Sequence, residues 1–245
     1  MFRYNEETGK YVLKGTEQLS GEYLRFELTS HVTSIIILTV ALLILFFLIN
    51  RRIRKADPLD EPKGLLFLAM LFYTIIDNFT QSIVGKSEKL KGVSSYVGLI
   101  VLYLFLANTI GLFGFTPPTS SLNVTVCFGL MTFLVIKYYG LKTKGIGHIT
   151  GLFQPIFLTP VNLMGEISLP FSLSMRLFGN ILSGVTIMTI IYTLILSVSQ
   201  IIGMFAGFTI IIPLMHGYFD IFSGAIQTLL FTLISTVYIA NATAD

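Results

Sequence analysis

Full charge is what this sequence has least of. Asp, Glu, Lys and Arg make up 12% of its 245 residues, whereas a soluble domain carries about a quarter. With 53% hydrophobic residues and a mean hydropathy of +0.80, the chain reads as an integral membrane protein. Cysteine is nearly absent as well. Cys127 stands alone in an apolar run, which excludes a disulfide framework. No glycine-rich phosphate loop, G-x-S-x-G elbow or H-E-x-x-H pattern occurs, so ATP chemistry and intramembrane hydrolysis are not expected of this chain. Neither a cofactor nor a metal is expected. The inverted repeat of many secondary transporters is not visible either. The net charge of +3 does not suggest nucleic acid, because most Lys and Arg lie beside apolar runs, where topology accounts for them.

What is present is a series of long apolar runs. A barrel would show short alternating segments, so the spans are helices. Residues 1–31 are polar and lack the basic start and apolar core of a cleavable signal. They are expected outside the membrane, ahead of a single helical membrane domain over 32–245. Expected spans are about 32–50, 94–114, 124–139, 160–197 and 205–241. Arg51, Arg52, Arg54 and Lys55 follow the first span, and the third returns to a basic end at Lys137, Lys142 and Lys144. Positive-inside logic puts those ends and the C-terminus in the cytoplasm and the N-terminus outside. The run 64–84 lies between Lys63 and Lys86, and its second half carries Asp77, Asn78, Thr80 and Gln81. It is expected to lie on the cytoplasmic surface. The fold class is therefore all-α: five membrane-crossing helices plus one surface helix. The last two crossing helices exceed the ~20 residues of a perpendicular span and are expected to tilt.

Beyond Lys144 the chain holds one basic residue, Arg176, and before the final Asp245 only two acids, Glu166 and Asp220. A cation in mid-bilayer costs about 3 to more than 10 kcal/mol, so Arg176 marks an ion-handling site. At ~100° per residue, Ser172, Arg176, Asn180 and Ser183 form a polar stripe. His216, Asp220, Ser223 and Gln227 share one face of the last span on the same reasoning. Glu166 lies about 15 Å to the cytoplasmic side of Arg176, and Asp220 lies to the outer side. No acid stands at i±3 or i±4 from Arg176, so its counter-charge is expected from another subunit, with Asp220 across the helix pair as the internal choice. His216 and Asp220 are spaced to bind a metal, but two ligands on one helix are weak evidence for that. His31 and His148, at span boundaries, read as solvated. Gly179, Gly184 and Gly224 read as places of close helix approach.

At these residues the chain resembles the a subunit of F-type ATP synthases, the stator ion channel of the membrane sector. The resemblance rests on SLPFSLSMRLFGN at 168–180, PVNLMGEIS at 160–168, LKTKGIG at 141–147, LNVTV at 122–126 and SGAIQTLLFTLISTVYIA at 223–240. It implies that Arg176 faces a rotating ring of c subunits and attracts a deprotonated ring carboxylate. It further implies two offset half-channels for H⁺ or Na⁺, with Glu166 on the cytoplasmic one and Asp220 on the outer one. Asn180, Gln227 and His216 complete the candidate ion-translocation set. Implied partners are the c-subunit ring, the b-subunit stator stalk, the rest of the synthase and the lipid bilayer. The implied location is a bacterial plasma (inner) membrane, and the chain itself is not an enzyme. Leu169, Val185 and Ser121 depart from residues common in relatives, as does Asp220, where histidine is frequent. The alternative from another class is a self-contained proton-coupled secondary transporter.

Overall fold

The computed structural model describes residues 2–5, 10–13, 22–56, 62–85, 90, 92–153, 156–198 and 211–244. The expected turn from Ser197 to Gly203 and the start of the last span lie largely outside the described residues. The N-terminal segment opens with an antiparallel ribbon, β1 (Phe2–Asn5) and β2 (Lys10–Leu13), pairing Phe2 with Leu13 and Asn5 with Lys10. Helix α1 (Glu22–Ile53) begins before its apolar run and closes on Arg51 and Arg52. Only His31–Ile53 is apolar enough to cross. The polar stretch before it is rich in Leu, Glu and Arg, good helix formers that carry the helix past the membrane-length piece.

α2 (Leu65–Val84), α3 (Val93–Thr109) and α4 (Leu122–Lys144) follow. A 3₁₀ turn over Ile110–Phe113 ends α3, and a second over Pro118–Ser120 precedes α4. α4 runs through Lys144 rather than stopping near 139, so Lys137 sits inside the helix and not in a loop. A one-turn helix α5 (Gly147–Thr150) leads to α6 (Thr159–Val198), which is continuous through Pro170. The last span is not one regular helix: α7 (Ile212–His216) passes into a π-helical stretch, Gly217–Ser223, and then into α8 (Gly224–Thr243). Such wide turns are rare and concentrate at functional sites. Six described helices are long and apolar enough to cross a membrane, α2 among them. Length and composition alone thus admit α2 as a span.

α8 lies at the centre, packed on α3, α4 and α2, while α6 runs along α4. α3 supplies Val93, Val97, Ile100 and Leu104 to the core, α6 supplies Leu169, Leu173 and Leu177, and α8 supplies Phe231 and Ile239. These are helical stripes at three- and four-residue spacing. α1 sits at the edge, with Leu38 and Leu42 against Ala107 and Ile110. On α8 the buried Thr228, Thr232, Ser235 and Thr236 donate to carbonyls one turn back, those of Gly224, Thr228, Phe231 and Thr232. Small hydroxyl residues satisfied in this way let helices approach without stranding a polar atom.

The closest approach is at Gly129 of α4. A Cβ there would meet Ser174 Oγ and the Pro170 carbonyl oxygen of α6. Of the glycines expected at close contacts, Gly224 fits, because a Cβ would lie 3.0 Å from Asn108 Cβ. Gly184 meets Phe219 at an ordinary 3.7 Å, and Gly179 faces open space.

Candidate ion-translocation site

The site forms where α6 runs antiparallel to the last span. Leu169, Leu173, Leu177 and Ile181 turn one side of α6 into the bundle. The polar stripe borders that side, so Asn180 reaches inward and accepts a hydrogen bond from Ser223 Oγ at 2.7 Å. Four residues outward, Gly184 faces Phe219. Extending this register inward by one turn brings Gln227 to the level of Arg176. Gln227 is buried, 5% exposed, with its Nε2 lacking a partner. Ile226 and Leu229 beside it are exposed.

Arg176 itself is exposed at the bundle surface. It makes no hydrogen bond or ion pair among the described residues. Asp220 does not cross over to neutralise it, because that carboxylate is engaged elsewhere. Ser172 and Ser183 are exposed on the same helix, and Ser183 donates to the Gly179 carbonyl.

Toward the start of α6, Glu166 has a partner that sequence spacing did not identify. Lys137 Nζ of α4 stands 2.5 Å from Glu166 Oε1, with both side chains mostly covered. The contact is a charge pair outside hydrogen-bonding geometry, since Lys137 Nζ has no hydrogen-bond partner. The ammonium also lies 5.4 Å from the centre of the Phe133 ring one turn earlier, within reach of a cation–π attraction. A signal existed: a lysine two turns inside an apolar helix needs a counter-charge. Leu169 of the same helix is buried in the core, and the cation beside Glu166 comes from α4.

His148 belongs to this end and is not solvated. It packs on Gly140, where a Cβ would lie 2.6 Å from its Nε2, and that nitrogen has no partner. Burial pushes its pKa down, the charge of Lys137 pushes it further, and Glu166 opposes. His31 likewise holds an unpartnered, buried Nδ1.

Toward the other end of α6, Asp220 Oδ2 lies 2.6 Å from His216 Nδ1, and His216 Nε2 lies 2.6 Å from the Tyr192 hydroxyl of α6. His216 and Asp220, which share a face by spacing, are in contact, and Tyr192 joins them. Nothing in the sequence set this tyrosine apart from the others. Asp220 also sits beside the turn that ends α3: a Cβ on Gly111 would be 3.8 Å from Oδ2. Among the described residues no group of three His, Cys, Asp or Glu side chains gathers to hold a metal.

Asn108 of α3 is a further residue without a sequence signal. Buried to 1%, it accepts from Thr119 Oγ1 at 2.9 Å and donates to the Gly224 carbonyl and Thr228 Oγ1. It ties the outer loop to the start of α8, immediately after the π-helical stretch.

Comparison with known proteins bears on the same residues. The family described as ATP synthase A chain matches residues 32–240. ATP synthase subunit a of Mycoplasma pneumoniae is 31% identical over 237 residues, covering 87% of this chain and 78% of that protein. The subunit a of Mycoplasma genitalium is 28% identical over 237 residues, covering 88% of this chain and 80% of its own. A sodium ion specific subunit a from Propionigenium modestum is 30% identical over 192 residues, covering 71% of this chain and 61% of that protein. The matched region takes in every membrane-length helix and both charged ends of the site, and the chain belongs to the ATP synthase A chain family.

Proposed function

We propose that this chain is the non-catalytic stator subunit of an F-type ATP synthase, which carries ions past Arg176 to and from the carboxylates of a rotating c-subunit ring. The observation that carries the reading is the state of Arg176: a cation on a lipid-depth helix, exposed at the bundle surface, with no partner among the described residues. Leaving it so is costly in a bilayer, and a ring carboxylate passing along that surface relieves the cost. Gly179, one turn away with open space before it, leaves room for such a neighbour to come close. Glu166 and Asp220 then belong to separate half-channels, cytoplasmic and outer. An ion entering one must ride the ring to reach the other, and each charge crossing about 100 mV releases ~2.3 kcal/mol for rotation.

In this reading the N-terminus is outside, the C-terminus is in the cytoplasm of a bacterial cell, and a b-subunit stalk holds the chain to the catalytic head. α2 lies along the cytoplasmic surface. Its contacts support this: Asp77 accepts from Ser94 Oγ at 2.6 Å, and Gly98 faces Ile76 and Phe72. Both partners are in the first two turns of α3, so the middle of α2 meets one end of α3. Family membership sets aside the self-contained transporter.

The test is Arg176→Ala in the complete complex reconstituted in vesicles. ATP-driven ion uptake is expected to vanish while ATP hydrolysis by the head continues. Coupled pumping at the normal rate would refute the assignment.

A further inference from the structure

Three polar side chains on the outer side of Arg176 join into one line across two helices: Tyr192 of α6, His216 of α7 and Asp220 of the π-helical stretch. Both links are 2.6 Å long. We infer that they form a proton relay feeding the outer half-channel, with Tyr192 as its entry, and that the species delivered to Asp220 is a proton and not a metal cation. The inference rests on the stator reading above and deepens it by naming the ion and its path.

Protonation bookkeeping supports a relay over a static brace. An ionised Asp220 can only accept, so His216 Nδ1 carries the proton and Nε2 presents its lone pair. The Tyr192 hydroxyl must then donate to Nε2. Every group is satisfied in that pattern, and equally in the shifted one. In the shift, the Tyr192 O–H bond breaks as an Nε2–H bond forms, and the Nδ1–H bond breaks as a proton binds Asp220. Tyr192 oxygen takes a proton from outer water. The net change is one proton moved from water to Asp220, with His216 neutral throughout. Once Asp220 has passed its proton to the ring, Nδ1 takes one proton from outer-side water while Nε2 releases one to that water, which restores the starting tautomer with no net charge moved. Histidine suits this because both nitrogens bind and release protons near neutral pH.

The same geometry disfavours a metal cation. Both imidazole nitrogens are engaged, and a hard cation requires several oxygen ligands. Asp220 has no companion Asp or Glu among the described residues within a possible ligand group. Tyr192 is otherwise unexplained, since phenylalanine would fill its place between α6 and α7 without bringing a hydroxyl into an apolar region. The line ends at Asp220. Hydrogen bonding resumes one step inward at Ser223 and Asn180, toward Arg176, and the gap is where the ring collects its proton.

The experiment uses the intact complex in vesicles and reads the initial rate of ATP-driven proton uptake. His216→Ala is expected to lower that rate about tenfold or more. Added imidazole should restore much of it, while pyrazole, of the same shape but a far weaker base, should not. Tyr192→Phe is expected to lower the rate several-fold, with the double variant no slower than His216→Ala. The amount of chain recovered in the purified complex serves as the folding control. A Tyr192→Phe complex that pumps like the parent, equal rescue by pyrazole, or activation by sodium at fixed pH would each overturn the relay. Arg176→Ala in parallel separates the two readings: normal pumping there refutes the stator assignment, whereas its loss beside an unaffected Tyr192→Phe refutes the relay alone.

Discussion

The two acids of the site are held in different ways, and the contrast follows the direction of the chain through the membrane. At one end of the site Glu166 faces Lys137 across the α4–α6 contact, a single cation from a neighbouring helix. At the other end Asp220 faces His216, and beyond it Tyr192, partners joined to it in a line of hydrogen bonds. The first contact is one charge pair; the second is a chain of groups that can both donate and accept hydrogen bonds. Between the two, Arg176 has neither kind of partner among the described residues. One carboxylate is thus held by a single cation across a helix contact, whereas the other ends a hydrogen-bonded line spanning two helices.

The comparison can be broken most directly by neutralising each acid. Asp220→Asn is expected to reduce ATP-driven proton uptake by about tenfold or more, because the relay loses its acceptor. Glu166→Gln, with Lys137 left to attract the departing charge's neighbours, is expected to reduce it only a few-fold. Equal damage from both would remove the asymmetry.

A smaller effect concerns the inner pair alone. Lys137→Leu strands Glu166 as a largely covered charge, at a cost of about 3 kcal/mol in stability. The double variant Lys137→Leu with Glu166→Gln should recover part of that loss, since neither charge is then left alone. Thermal unfolding in detergent, run as a double-mutant cycle, reads the coupling, expected at about 0.5–3 kcal/mol. A coupling near zero would mean that the two side chains merely lie close.

The smallest effect is the docking of His148 on Gly140. Its folded pKa lies below the ordinary value of about 6.5, from burial first and then the charge of Lys137. The neutral form therefore favours the fold. Its contribution is complete above the ordinary histidine range and is lost as pH falls through the lowered value. Hydrogen exchange across 145–153 should accelerate on acidification, and His148→Gln should abolish that dependence. Because Glu166 raises this pKa, Glu166→Gln should move the transition to still lower pH.

Much of the fold was legible because a bilayer imposes strict terms on a chain. The spans at 32–50 and 94–114 came close to the membrane-length pieces His31–Ile53 and Val93–Phe113, since a helix that leaves a backbone amide unpaired in lipid is not tolerated. Errors fell where a local rule gave way to a neighbour. Lys137 looked like a loop marker until α6 supplied Glu166. His148 looked solvated until Gly140 opened a place for it. The last span looked regular until the π-helical stretch appeared, a change of pitch that no composition announces.

By itself the sequence determined the class of the protein, its helices, and the isolation of Arg176 between one inner and one outer acid. Those follow from local quantities: apolar length, the order of charges, and the high cost of an ion in lipid. Only the tertiary structure decided which side chains answer those charges. Lys137 with Glu166, Asn180 with Ser223, and Tyr192 with His216 and Asp220 join residues from different helices. Helical spacing shows which face a residue occupies on its own helix, but not which neighbour stands opposite. The partner is set by how closely two helices pack, at Gly129 and Gly224 above all.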